Sequence, residues 1–174
     1  MTTLRNVVTE YRPTDRQLRY VAAGLAHLVA LLHLFHPTLG FPRLVAYISI
    51  GQPFLDPRPA AFVLSAVALI IGVNLVWFGT PRKPIYAFGM LLMLTYIVGY
   101  FAWHFTGHGG FLPGREAYGH GDLSPLENVI AHMADDVWAR ASKLAEALLL
   151  ALLALLYYKE STGMDELQRQ GDGV

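Results

Sequence analysis

The sequence predicts an all-α integral membrane protein: a four-helix transmembrane bundle with both termini cytoplasmic and an outer cap made by two long loops. Three observations carry the prediction. Hydrophobic residues make up 54% of the 174 residues and charged residues only 15%, an apolar excess that suits a bilayer better than a soluble domain. That excess is gathered into four blocks, about residues 18–36, 60–79, 85–105 and 137–158, each close to the roughly twenty residues that cross a hydrocarbon core. Turn and cap signals punctuate the intervals, and the whole chain, 1–174, reads as one transmembrane domain.

Residues 1–13 are a polar tail with scattered arginines, ending at Pro13. Thr14-Asp15-Arg16-Gln17 has the Thr-x-x-Gln form of a capping box and opens the first block, because each side chain satisfies the other's orphan backbone N–H. A cleaved signal peptide fits poorly, since histidines interrupt the apolar stretch and no Ala-x-Ala site follows. Pro37 ends the helix, and the first outer loop, 37–59, contains Leu44–Ile50, too short to span and read as interfacial.

The second block carries one strongly polar residue, Asn74, expected to hydrogen-bond a neighbouring helix. Thr80-Pro-Arg-Lys-Pro84 is a tight turn, which makes the second and third spans antiparallel neighbours. After the third span comes the glycine-rich second outer loop, 106–136, and within it Ser124-Pro125-Leu126-Glu127 is a helix start, with Ser at N-cap, Pro at N1 and Glu at N3. A helix from there to Tyr158 is roughly 50 Å long at 1.5 Å per residue, more than a bilayer needs. Its first turns therefore lie at the surface, and Asp135-Asp136 is where a bend is expected; the pattern leaves open whether the helix is continuous. Tyr157-Tyr158-Lys159 reads as an interfacial anchor, and the polar tail 159–174 is expected to be disordered.

The basic residues Arg5, Arg12, Arg16, Arg19, Arg82, Lys83, Lys159 and Arg169 fall on one side of such a topology, which the positive-inside rule assigns to the cytoplasm of a multi-pass plasma-membrane protein. A net charge of zero without a basic patch excludes a nucleic-acid partner. The partners implied are the lipid bilayer and either further copies or other subunits of a membrane complex. With no cysteine, disulfides, Cys-zinc sites, iron–sulfur ligation and covalent c-type haem are excluded. Metal chemistry falls to His, carboxylate, Tyr and Met.

Tyr96, Tyr100, His104 and His108 recur every fourth residue and form one polar stripe on an otherwise apolar helix. In the predicted topology six of the seven histidines, His33, His36, His104, His108, His120 and His132, share the outer membrane level. The i,i+3 and i,i+4 pairs can each offer two imidazoles to one ion, and Asp135 and Asp136 add carboxylates as ligands, orienting groups or a base. The expected set is His36, His104, His108 and His132, with His33 and His120 in reserve. It suits a transition metal (Cu, Zn or Fe), or a haem b gripped between His104 and His33 or His36. A redox or electron-transfer subunit, a metal-dependent oxidoreductase and a zinc hydrolase all follow from that chemistry. The competing structural reading makes these rings interfacial side chains or hydrogen-bond glue between helices.

A second signal lies deeper. Glu146 in the last span and His27 midway along the first are costly in lipid, so both are expected to face the interior. On a continuous helix His132, Asp135, Ser142 and Glu146 share one face. That arrangement supports an alternative, a proton-coupled small-molecule transporter or channel-like module using Glu146 and His27. Lys143, three residues before Glu146, is the candidate counter-ion. A third possibility is a non-catalytic assembly subunit. The glycines at 107–110 lack the Lys-Ser/Thr ending of a phosphate loop, and no nucleophile elbow is present.

Overall fold

A computed structural model describes residues 13–110, 116 and 123–171, with only the backbone of 164–171. Six helices occur among them: α1 (Asp15–Leu34), α2 (Phe41–Ser49), α3 (Pro57–Trp77), α4 (Arg82–Phe105), α5 (Pro125–Asp135) and α6 (Val137–Gly171). Four, α1, α3, α4 and α6 to Gly163, are long and apolar enough to cross a membrane. Only 11% of the α3 window and 33% of the α6 window is buried by the rest of the chain. Leucines, valines and phenylalanines such as Leu64, Phe78, Leu91, Val98 and Leu144 point outward, and so broad an apolar surface calls for lipid around it.

The capping box at the start of α1 is formed: Gln17 N donates to Thr14 Oγ1 (3.3 Å) and Thr14 N to Gln17 Oε1 (2.8 Å). One face of α1 then carries Ala22, Ala26 and Ala30 with Val29, and small residues every fourth position let another helix approach closely. α6 packs most extensively on α4 and α1, and α3 also packs on α1. Ala66 and Leu69 of α3, Tyr86 and Met93 of α4, and Ala145, Leu149, Leu153 and Leu156 of α6 complete the core. At Gly89 of α4 a Cβ would come within 2.8 Å of Leu153 Cδ1, so glycine is what allows α4 and α6 to meet there. The short turn at 78–81 does make α3 and α4 touch, but more lightly than α3 meets α1 or α4 meets α6.

Two features differ from the sequence reading. The last helix does not stop at Tyr158 but continues to Gly171 through much of the tail expected to be disordered. Its polar segment has partners: Lys159 meets Asp15 (2.5 Å), and Glu160 meets Arg82 (3.1 Å) and Arg19 (3.9 Å). These ion pairs also gather the start of α1, the start of α4 and the far part of α6 at one end of the molecule.

The second is the shared face from His132 to Glu146, which is interrupted where the sequence placed a bend: at Asp136 the helix breaks, the backbone being extended (φ −104°, ψ 102°). Its Oδ1 accepts from Trp138 N (2.8 Å) and Ala139 N (3.2 Å) as the N-cap of α6. Arg140 Nη1 reaches back to the carbonyls of Met133 (2.6 Å) and Ala134 at the end of α5. Each helix end thereby gains partners for two of its orphan backbone groups. The continuous face from His132 to Glu146 does not exist; the two residues belong to different helices.

Candidate metal centre

α4 ends at Phe105, and the chain turns through Gly107 (φ 63°), His108 (φ 55°) and Gly109 (φ 93°), three successive left-handed residues. Such a run needs glycine, and His is among the side chains that occur there at modest cost. Gly109 is buried under Trp103, where a Cβ would lie 2.3 Å from the ring. The Arg58 guanidinium lies 3.7 Å from the Trp103 ring centroid, and Arg58 is forked onto Asp56, the N-cap of α3. The turn is thus folded back over α4, which brings His108 beside His104.

α5 supplies the third ring. Its capping box, Ser124 with Glu127 (2.8 and 3.3 Å), fixes its start. The hydrogen bonds from the Ser124 hydroxyl and backbone hold the Glu127 carboxyl below its usual range. Buried Asn128 donates to the His104 carbonyl (3.5 Å), and His132, one turn on, faces the same way. The ring centroids of His104, His108 and His132 are 5.3, 4.8 and 5.2 Å apart pairwise. Each ring offers one nitrogen such that the three lie within 4.8 Å of one another, and all three residues are half-buried.

The donor chemistry suits a metal ion. His104 Nδ1 is 2.8 Å from the Tyr100 carbonyl; a carbonyl only accepts, so Nδ1 carries the proton and Nε2 is the nitrogen able to hold an ion. Backbone anchoring of this kind is what orients metal-binding imidazoles. The Nε2 atoms of His108 and His132 are 3.1 Å apart, close to the roughly 3.3 Å separation that tetrahedral zinc–nitrogen bonds of about 2.05 Å impose.

The other sequence candidates go elsewhere. His36 lies beyond the end of α1 and its Nδ1 accepts from Thr38 N (3.3 Å) and Leu39 N (3.2 Å). It holds a turn there, against Phe62 and Trp138, and burial pushes it below the ordinary imidazole range. His33 is buried, stacked on Tyr96 at 4.0 Å and flanked by Phe62 at 4.7 Å, facing Glu146 rather than the triad. Asp136 is committed to capping, and Asp135 is exposed and outside the cluster. His120 lies outside the described residues.

Of the intramembrane polar set, His27 is turned outward, its Nδ1 bonded to the Ala23 carbonyl (2.8 Å), instead of facing the interior. Asn74 is likewise exposed and satisfies itself on the Ile70 carbonyl of its own helix (2.7 Å), not on a neighbour. Tyr100 sits beneath His104, centroids 4.2 Å apart, and Tyr96 a turn below belongs to the Glu146 cluster. Trp138, which donates to the Leu32 carbonyl (2.9 Å) and so ties α6 to the end of α1, was not singled out in the sequence; a lone indole at a helix start carries no pattern that marks it. Set against known proteins, the chain matches no protein-family model, no curated protein and no solved structure.

Proposed function

We propose that the chain is a multi-pass membrane metalloprotein that binds one transition-metal ion, zinc or copper, through His104, His108 and His132 at the outer face. The reading rests on one observation, the convergence of three imidazoles from α4, the following turn and α5 to within 4.8 Å. Neutral imidazole suits these ions, and three nitrogens leave a fourth position for water or an exchangeable ligand. A haem fits less well. It takes axial ligands from opposite sides, whereas these rings point at one spot, and the flanks of His33 are filled by Tyr96 and Phe62. The outer placement follows from the basic residues that cluster with Asp15 and Glu160 at the opposite end.

The test is metal content and X-ray absorption on protein purified in detergent and loaded with zinc or copper. The expected result is one ion per chain with a shell of imidazole nitrogens, lost in His104→Ala, His108→Ala and His132→Ala and kept in His27→Ala. Substoichiometric metal in the wild type, or retention in all three alanine variants, refutes the assignment; a Soret band points to haem instead. Because the chain has no cysteine, single cysteines at Ser49 and Thr80 report, by labelling with an impermeant reagent, which side each end faces.

A further inference from the structure

A second polar cluster lies between the spanning helices. Glu146 of α6 is fully buried (0% exposed). Its Oε2 accepts from Lys143 Nζ at 2.5 Å, while its Oε1 lies 3.4 Å from His33 Nε2 and takes part in no hydrogen bond. A buried carboxylate oxygen without a donor is costly. The nearest cation is engaged elsewhere: Lys143 Nζ bonds Glu146 Oε2 and the Tyr96 carbonyl (3.1 Å) and lies 5.2 Å from the Tyr100 ring centroid.

His33 is constrained as tightly. Its Nδ1 is 2.9 Å from the Val29 carbonyl, so that nitrogen carries a proton in every state of the ring. In neutral His33 the unprotonated Nε2 then lies 3.4 Å from a carboxylate oxygen with no proton between them, which is repulsive. One proton on that line makes the contact attractive, whether written N⁺–H···O⁻ or N···H–O. We propose that His33 and Glu146 form a proton-binding site between the spanning helices, a single proton held on the Nε2–Oε1 axis.

Two further features fit the assignment. A metal ion is disfavoured, since only two donors face the gap and the Lys143 ammonium already occupies the other carboxylate oxygen. An added positive charge is offset by the position of His33 in the last turn of α1, where the helix dipole favours cations. The titratable and charged groups around the pair are His36 after α1, Tyr96 and Tyr100 on α4, and Lys143 on α6, with Arg58 and Asp136 beyond His36; α3 contributes the Phe62 ring. The site is separate from the triad, and Tyr100 is the ring that touches both, through His104 and Lys143.

The experiment is solid-state NMR on the metal-free full chain in lipid vesicles, with ¹⁵N-histidine and ¹³C-carboxyl glutamate, scanned between about pH 5 and 9, the range in which imidazoles ordinarily titrate. The expected result is a proton on the axis over part or all of that range, seen as a protonated His33 Nε2 or a Glu146 carboxylic acid. Assignment comes from loss of the signal in His33→Gln and Glu146→Gln and its persistence in His104→Ala. If those variants do not fold, residue-pair-selective labelling of the wild type makes the assignment. An unprotonated Nε2 facing an ionised carboxylate at every pH overturns the proposal and leaves the metal reading untouched.

Discussion

Gly109→Ala is the substitution that most directly tests how the triad is built. Position 109 has φ 93°, and the new Cβ would be 2.3 Å from the Trp103 ring. Holding an L-residue in the left-handed region costs roughly 1–2 kcal/mol before any steric clash is counted. The turn can shed that strain by lifting off Trp103, but doing so withdraws His108, so the cost falls on metal binding. At about 1.4 kcal/mol per tenfold, affinity drops about 5- to 30-fold, more if the indole cannot shift. Gly79→Ala is the matched control: φ 86°, nothing within 4 Å, in the turn between α3 and α4 at the opposite end of the molecule. It carries the same backbone strain without touching a ligand. Competition against a chromophoric chelator in detergent measures both. Equal affinities for Gly109→Ala and wild type, or an equal loss in Gly79→Ala, refute the account of the turn as the device that presents His108.

Glu146→Leu leaves Lys143, whose side chain is 15% exposed, without its carboxylate and lowers stability by about 3–5 kcal/mol, whereas Lys143→Met with Glu146→Leu restores most of it; unfolding measured across the double-mutant cycle shows whether the two are coupled. Asp136→Ala strips the acceptor from two backbone N–H groups of α6 and costs about 0.5–2 kcal/mol, with Asp136→Asn near wild type; thermal midpoints in one detergent decide it. For His36, burial places the folded-state value below the ordinary 6.5, so the unfolded chain binds the extra proton. Its contribution to stability is complete above about 6.5 and is lost as pH falls from there toward the lower folded-state value. His36→Gln therefore shows a shallower loss of thermal midpoint on acidification than wild type, and an unchanged slope contradicts the burial argument.

The spans and both capping boxes were legible because hydropathy and Ser/Thr-x-x-Glu/Gln signals are local. The site was only partly so. His104 and His108 have a four-residue spacing that a helix turns into proximity, although His108 reaches its place through a left-handed turn and not along the helix. His132 was in the candidate set, but its juxtaposition with His108 depends on how α5 folds back, 24 residues away. His33 and His36 were paired on the assumption of a shared helical face; α1 ends at Leu34, so His36 falls in the turn and accepts from that turn's backbone. His33 found its partner 113 positions along, in Glu146, which no local period encodes. His27 and Asn74 were expected inside because polar groups are costly in lipid, yet each settles that cost on a carbonyl of its own helix. The break at Asp136 reflects a competition sequence patterns do not rank, a side-chain cap and an arginine against one continuous ladder of backbone hydrogen bonds.

That discontinuity puts His132 on the eleven residues of α5 and the buried charges Lys143 and Glu146 on the helix after it. A substitution in α5 therefore acts on the rim without changing the register of the helix that carries the interior pair.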